Sequence, residues 1–212
     1  ISCGKDPCDT KICLNDGDCI DGTCFCPDGF SGTNCEVNNS LDVCIPHVYF
    51  SENFTTGTIS SSFQLFDNDG DGYFWSIENI IGSSAATSYS FINNVGSLFP
   101  DNWMISSSVN LSNISSSCVI KLSWKIYALD QNWPNDYYSV YVSEYSTVQQ
   151  INQQSHSTLS FSESIQTSNG FISRELDVSS FAGKTVFIAF RHHNCTDQYG
   201  FAIDDIILET VN

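Results

Sequence analysis

Asp67, Asp69 and Asp71 occupy alternate positions in the run Phe-Asp-Asn-Asp-Gly-Asp-Gly-Tyr-Phe-Trp, residues 66–75. Three carboxylates placed so closely repel one another, and the interleaved Gly70 and Gly72 let the backbone curl until all three point inward. A hard divalent cation resolves that repulsion. Ca2+ fits best, because it accepts about six to eight oxygens in flexible geometry and needs no nitrogen or sulfur. A solvated Asp/Gly turn is the plainer alternative, but turns rarely need three acids at this spacing.

The spacing also matches the EF-hand loop pattern, with Glu78 at the twelfth position. The flanks disagree. Residues 58–66 are β-branched and aromatic without a helical stripe, and residues 79–87 are rich in Ser, Gly and Ala. The expectation is a calcium loop between strands.

Other residues able to do chemistry carry plainer readings. His192 and His193 are neighbours on an expected strand, so their side chains face opposite ways and cannot grip one metal together. Each is read as a packed or rim residue. Arg191 stands among aromatics and acids, where it buries its stem and pairs with an Asp. Cys118 and Cys195 could serve as thiol nucleophiles with His193 as base, but a secreted chain favours a Cys118–Cys195 disulfide, leaving Cys3 for Cys44 or an outside partner. Trp124 falls in phase with an alternating strand and belongs to the core. Trp133, in the polar run Asp130-Gln-Asn-Trp-Pro-Asn-Asp136, is the candidate ligand contact together with Tyr137, because an aromatic beside amides and carboxylates suits sugar stacking or protein contact. No Gly-x-Ser-x-Gly elbow, His-Glu-x-x-His pair or phosphate-cradling glycine loop occurs.

These side chains need a scaffold, and 212 residues with 41% hydrophobic and 13% aromatic content can build one medium domain and a small module. Seven Lys and Arg against 24 Asp and Glu give a net charge of −17, which makes nucleic acid and anionic membranes poor partners and cations good ones. No run approaches the roughly 18 apolar residues of a membrane span, so no direct membrane insertion is expected. The chain starts at Ile1 without a charged-then-apolar leader, as a mature secreted product or an excised fragment would.

Ten cysteines, six of them within residues 8–35, point to an oxidising compartment. Sequons at Asn38, Asn53, Asn110, Asn113 and Asn194 agree, although so Asn- and Ser-rich a chain produces them by chance. The expected organisation is a disulfide-stapled module over 1–36, a linker over 37–45 and a larger domain over 46–212. In the latter, short runs such as Val119–Ala128, Tyr138–Ser143, Thr185–His192 and Phe201–Leu208 recur between Ser/Asn/Gly breaks, several of them with period two. That pattern predicts an all-β sandwich of eight to ten strands and no substantial helix.

Two resemblances sharpen this reading. Cys8-x4-Cys13-x5-Cys19-x4-Cys24-x-Cys26-x8-Cys35 resembles an EGF-like module of the short, tenascin-like kind. Spacing alone leaves 15 pairings open, and the resemblance implies Cys8–Cys19, Cys13–Cys24 and Cys26–Cys35. Asp67-Asn-Asp-Gly-Asp-Gly-x-x-Trp75, Phe99-Pro-Asp-Asn-Trp-Met-Ile-Ser106, Asp136-Tyr-Tyr-Ser-Val-Tyr-Val-Ser143 and Ala182–Asp197 followed by Ile203-Asp-Asp-Ile206 together resemble the cleaved-adhesin domain of gingipain-type secreted proteases, related to MAM-like sandwiches. That resemblance implies a jelly roll with structural Ca2+ and a role in adhesion. It places Asp67, Asp69 and Asp71 on the family's acidic loop, Asp101 and Asn102 on its Pro-Asp-Asn motif, Asp204 and Asp205 on its last strand, and Glu52 on its opening strand. One ion gathering these residues would tie the first and last strands together.

The function expected from all this is a secreted or surface-exposed, calcium-stabilised, non-catalytic adhesion module that binds an extracellular protein or carbohydrate. The alternative is a subunit of an extracellular filament or coat built by head-to-tail self-assembly. A polysaccharide-acting enzyme would have a similar fold, but the acids are better explained as ion ligands.

Overall fold

A computed structural model of the chain describes residues 6–38, 44–59, 62–153, 157–166 and 169–211. The chain divides into two compact units, Ile1–Ile45 and Pro46–Asn212.

The first unit has almost no apolar core, since Ile12, Leu14, Ile20 and Phe25 are all exposed and Cys35 is its one fully buried hydrophobic residue among those described. Covalent bonds stand in for burial, as they must in so small a module. The bridges are Cys8–Cys19, Cys13–Cys24 and Cys26–Cys35. Strands β1 (Asp18–Ile20) and β2 (Thr23–Phe25) form a hairpin across Asp21 and Gly22, both left-handed, and β3 (Phe30–Ser31) pairs with β4 (Val37–Asn38). Val37 and Asn38, expected in the linker, thus belong to this unit's pairing.

The second unit is a jelly-roll sandwich of antiparallel sheets. In chain order its strands are β5 (His47–Glu52), β6 (Phe63–Asp67), β7 (Ser76–Ile80), β8 (Ser83–Tyr89), β9 (Phe91–Ile92), β10 (Gly96–Ser97), β11 (Asn102–Ser106) and β12 (Val109–Asn110). They continue with β13 (Val119–Ala128), β14 (Tyr137–Ser143), β15 (Thr158–Ser164), β16 (Ile172–Asp177), β17 (Thr185–His192) and β18 (Gly200–Val211). One six-stranded sheet runs β15-β14-β17-β11-β6 with β12 also on β17; the other runs β16-β13-β18-β8-β7 with β5 also on β18. Among the described residues twelve strands, more than the eight to ten expected, therefore form the two layers.

The period-two pattern of β13 does what it predicts: Ile120, Leu122, Trp124 and Ile126 are buried while the alternate residues are half-buried or exposed. Trp124 packs edge-on against Phe161 and Phe190 and donates its indole N–H to the Tyr138 hydroxyl at 3.1 Å. β14 is buried on both faces. Its second face packs in a cluster of Trp103, Ile105, Tyr141, Ile151 and Ala189. Ile151 comes from a short helix, α1 (Val148–Asn152), whose first turn is capped by Thr147 Oγ1 accepting from the Gln150 N–H. Five residues are too few to leave a helical stripe in the sequence, which is why none was expected there.

Candidate metal and ligand sites

The acidic loop leaves β6 at Asp67 and returns to the chain's second sheet at β7, so strands bracket it on both sides. Gly70 and Gly72 are left-handed, with φ of 74° and 85°, the conformation that the loop's curl requires. Asp67 accepts from the Gly70 N–H at 2.7 Å and the Gly72 N–H at 2.8 Å, and Asp71 accepts from the Tyr73 N–H. Each of Asp67, Asp69 and Asp71 offers a carboxylate oxygen, and all three oxygens lie within 4.8 Å of one another. Burial and the neighbouring Asp67 carboxyl push Asp69 up to about 6, while sharing a hydrogen bond with Asp69 holds Asp67 below the usual range. Three oxygens in one cradle, one of them reluctant to ionise, fit a hard cation.

The remaining expected ligands do not join this cradle. Asp101 touches it only through its backbone, donating its N–H to Asp69 Oδ2 at 2.8 Å. Its carboxylate is taken by Arg191 Nε at 2.6 Å, Trp103 Nε1 at 2.9 Å and Asn68 Nδ2 at 2.6 Å. Burial opposes the Asp101 charge, but the Arg191 and Asn68 hydrogen bonds outweigh it and hold the carboxyl below its ordinary range. Asn102 is buried, with its amide donating to Ser88 Oγ. Glu52, Asp204 and Asp205 lie on the other sheet. A bulge opposite Trp124 puts Asp205 at φ 47° and splays the two aspartates: Asp204 accepts from Ser83 Oγ at 2.5 Å, and Asp205 pairs with Lys125 at 2.7 Å. Glu52 and Asp205 share a shallow pocket of about 180 Å3, and Glu52 Oε1 also accepts from the Phe54 N–H. Of the eight residues expected around one ion, Asp67, Asp69 and Asp71 thus converge while the other five take other partners, and Glu52, Asp204 and Asp205 stand on the other sheet. Glu78 is in β7 and accepts from the Tyr89 hydroxyl at 2.7 and 2.8 Å, so it does not close the loop.

Four of the five sequon asparagines, Asn53, Asn110, Asn113 and Asn194, are exposed. Asn38 lies in β4, and nothing is described of its side chain.

The β17–β18 connection gathers several left-handed residues. Asn194, Asp197 and Tyr199 are left-handed at φ 54°, 58° and 110°, and Gly200 stands at 154°, where an added Cβ would lie 2.7 Å from the Ser88 carbonyl oxygen. Such strain gathers where a fold holds groups for a purpose. On one flank of this loop opens a cleft of about 460 Å3 bordered by Phe91, Asp130, Trp133, Asp197, Gln198 and Tyr199. Trp133 is 57% exposed at its edge, so the ring is not a loop plug. Tyr137 is not part of this lining; it packs edge-on against His193 at 5.1 Å, which corrects the expectation that it joins Trp133.

On the other flank lies Cys195. It is a free thiol, so the expected Cys118–Cys195 disulfide does not form. Cys118 adjoins the Val119 end of β13, which pairs with Val211, whereas Cys195 precedes Gly200 at the opposite end of β18. Roughly ten residues of extended strand separate those ends by about 30 Å, far beyond the reach of a disulfide. Cys44 and Cys118 are each in a disulfide, and Cys3 lies outside the described residues. The Cys195 sulfur instead sits 3.1 Å from His192 Nε2, and burial, with Asp136 nearby, pushes its thiol up to about 12. Burial also pushes His193 down to about 4.

Among known families, residues 47–208 match the Cleaved Adhesin Domain. Hemagglutinin A of Porphyromonas gingivalis is 27% identical over 179 residues, covering 74% of this chain and 8% of that protein. Gingipain R1 of the same organism is 30% identical over 174 residues, covering 74% of this chain and 10% of that one. The chain therefore spans about a tenth of the length of these relatives. Among solved structures, the K1 cleaved adhesin domain of Lys-gingipain from P. gingivalis W83 superposes with a TM-score of 0.63 at 26% identity, covering 77% of this chain and 98% of that one. The K3 domain of the same protein gives 0.64 at 23% identity, with the same coverage.

Proposed function

The chain belongs to the cleaved adhesin family, and from that premise we infer that it is a secreted or cell-surface, non-catalytic adhesion module that recognises an extracellular carbohydrate or protein through the Trp133 cleft. The observation that carries this reading is the exposed indole beside the Asp130 and Asp197 carboxylates and the Gln198 amide. An aromatic face flanked by hydrogen-bond acceptors matches the two faces of a sugar ring, one apolar through its C–H groups and one studded with hydroxyls. Ca2+ in the Asp67-Asp69-Asp71 cradle would hold the loop that joins the two sheets, a structural role supported by the crowding of the three carboxylates. The N-terminal unit, with its three bridges, reads as an EGF-like spacer.

Binding of the full chain to arrays of glycans and of extracellular matrix proteins tests the cleft. Trp133→Ala is expected to abolish the binding seen with the native chain while leaving stability within about 0.5 kcal/mol, as for other exposed substitutions. A native chain that binds nothing on either array, or a variant that binds equally well, overturns the assignment of this cleft.

A further inference from the structure

Behind the strained loop, Asp136, His192 and Cys195 converge. Their ligand atoms all lie within 4.8 Å of one another. Asp136 and His192 are fully buried, and Cys195 is half-buried at the edge of a second cleft of about 360 Å3 bordered also by His193 and Thr196. His192 Nε2 is 3.0 Å from Asp136 Oδ1 and 3.1 Å from the sulfur, and the sulfur is 3.6 Å from that same oxygen. Asp136 Oδ1 also accepts from Ser90 Oγ at 2.5 Å, so one oxygen is crowded with donors while Asp136 Oδ2, also buried, has no hydrogen-bond partner among the described residues. A bare carboxylate oxygen inside a protein is costly, and a positive charge is what it lacks.

We propose that Asp136, His192 and Cys195 bind a thiophilic divalent cation of the Zn2+ class, with its fourth position open toward the second cleft. The donor set of one carboxylate, one imidazole and one thiolate selects against Ca2+ and Mg2+ and suits a tetrahedral zinc centre. At ordinary zinc bond lengths the donor atoms of such a centre are about 3.4–3.6 Å apart. The sulfur-to-oxygen spacing already fits, and the other two need to open by about 0.4 Å, a side-chain adjustment. His192 is held from behind by Ser88 Oγ at 2.8 Å from Nδ1, and Ser88 in turn accepts from Asn102. A hydroxyl both donates and accepts, so Ser88 serves whichever imidazole nitrogen carries the proton, including the tautomer that frees Nε2 for a metal. On binding, the thiol proton leaves to solvent and the cation takes its place between sulfur and carboxylate. This site is independent of the acidic loop, whose all-oxygen chemistry serves a different class of ion.

The test titrates Co2+ into the full, chelator-treated chain in buffer containing excess Ca2+. The expected result is a near-ultraviolet thiolate-to-cobalt band that saturates at one ion per chain, is bleached by Zn2+, persists in Cys3→Ser and is lost in Cys195→Ser. His192→Asn should weaken binding at least tenfold. Absence of the band in the native chain, or its persistence in Cys195→Ser, overturns the proposal. Should Cys195→Ser not fold, X-ray absorption of the zinc-loaded native chain decides the matter: one sulfur in the coordination shell supports the site, and a shell of oxygens alone overturns it.

Discussion

Arg191 illustrates how one side chain couples separate pieces of this molecule. It sits over the Trp103 ring at 4.7 Å, donates Nε to Asp101 and reaches Asn152, the last residue of α1, with Nη1 at 3.0 Å. Asp101 in turn touches the acidic loop through Asn68 and Asp69. The pair is mostly shielded, with side chains 14% and 22% exposed, so removing one partner leaves the other charge poorly solvated. Arg191→Met should therefore lower unfolding free energy by about 2–4 kcal/mol in a urea titration. Arg191→Lys keeps the charge but loses the planar stack and the second bond, and should fall between the two. Equal stability of all three chains would mean that the pair contributes nothing. The sequence placed Arg191 beside an acid and left open which one, because the choice among 24 Asp and Glu depends on strand register.

At the scale of elements, the β7–β8 hairpin turns on Ile81 and Gly82, with φ of 44° and 93° and Ile80 paired to Ser83. A two-residue turn with both centres left-handed favours Asn-Gly, and a β-branched residue is poorly suited to its first position. Ile81 is also 66% exposed, so its burial offsets little of that strain. Ile81→Asn is expected to stabilise the chain by about 0.5–1 kcal/mol, read as a higher midpoint in denaturant. A lower midpoint would show that the isoleucine is held by something other than its backbone. The sequence leads to a strand after the acidic loop but does not mark this hairpin, because residues 79–87 are Ser/Gly-rich and carry no alternation. Ala85 and Ala86 are fully buried there, and small residues packed against a crowded sheet give no hydrophobic period. The N-terminal unit is the opposite case, since its cysteines announce it. Reduction should unfold it while the sandwich keeps its sheet signal in circular dichroism, because its bridges replace a core that the sandwich possesses. Loss of both signals together would contradict that division.

For the whole molecule, a net charge of −17 sets the electrostatic problem that folding must solve. Bound Ca2+ would relieve part of it, and chelation is expected to lower the melting temperature by about 5–10 °C if calcium had been present near a hundred times its dissociation constant. An unchanged melting curve would remove calcium from the structural account, and Asp69→Asn should make the chain insensitive to chelator. The amino-acid sequence by itself determined the sandwich, through the period-two alternation of the β13 run and the turn residues between strands. It likewise determined the stapled first unit and the acidic loop, because those signals are local in the chain. Only the tertiary structure decided that Glu52, Asp204 and Asp205 stand apart from Asp67, that Cys195 is free, and that Asp136 and His192 meet it. Those relations join residues dozens of positions apart, and they depend on which strands become neighbours and on the left-handed turn at residues 194–200, neither of which any local spacing encodes.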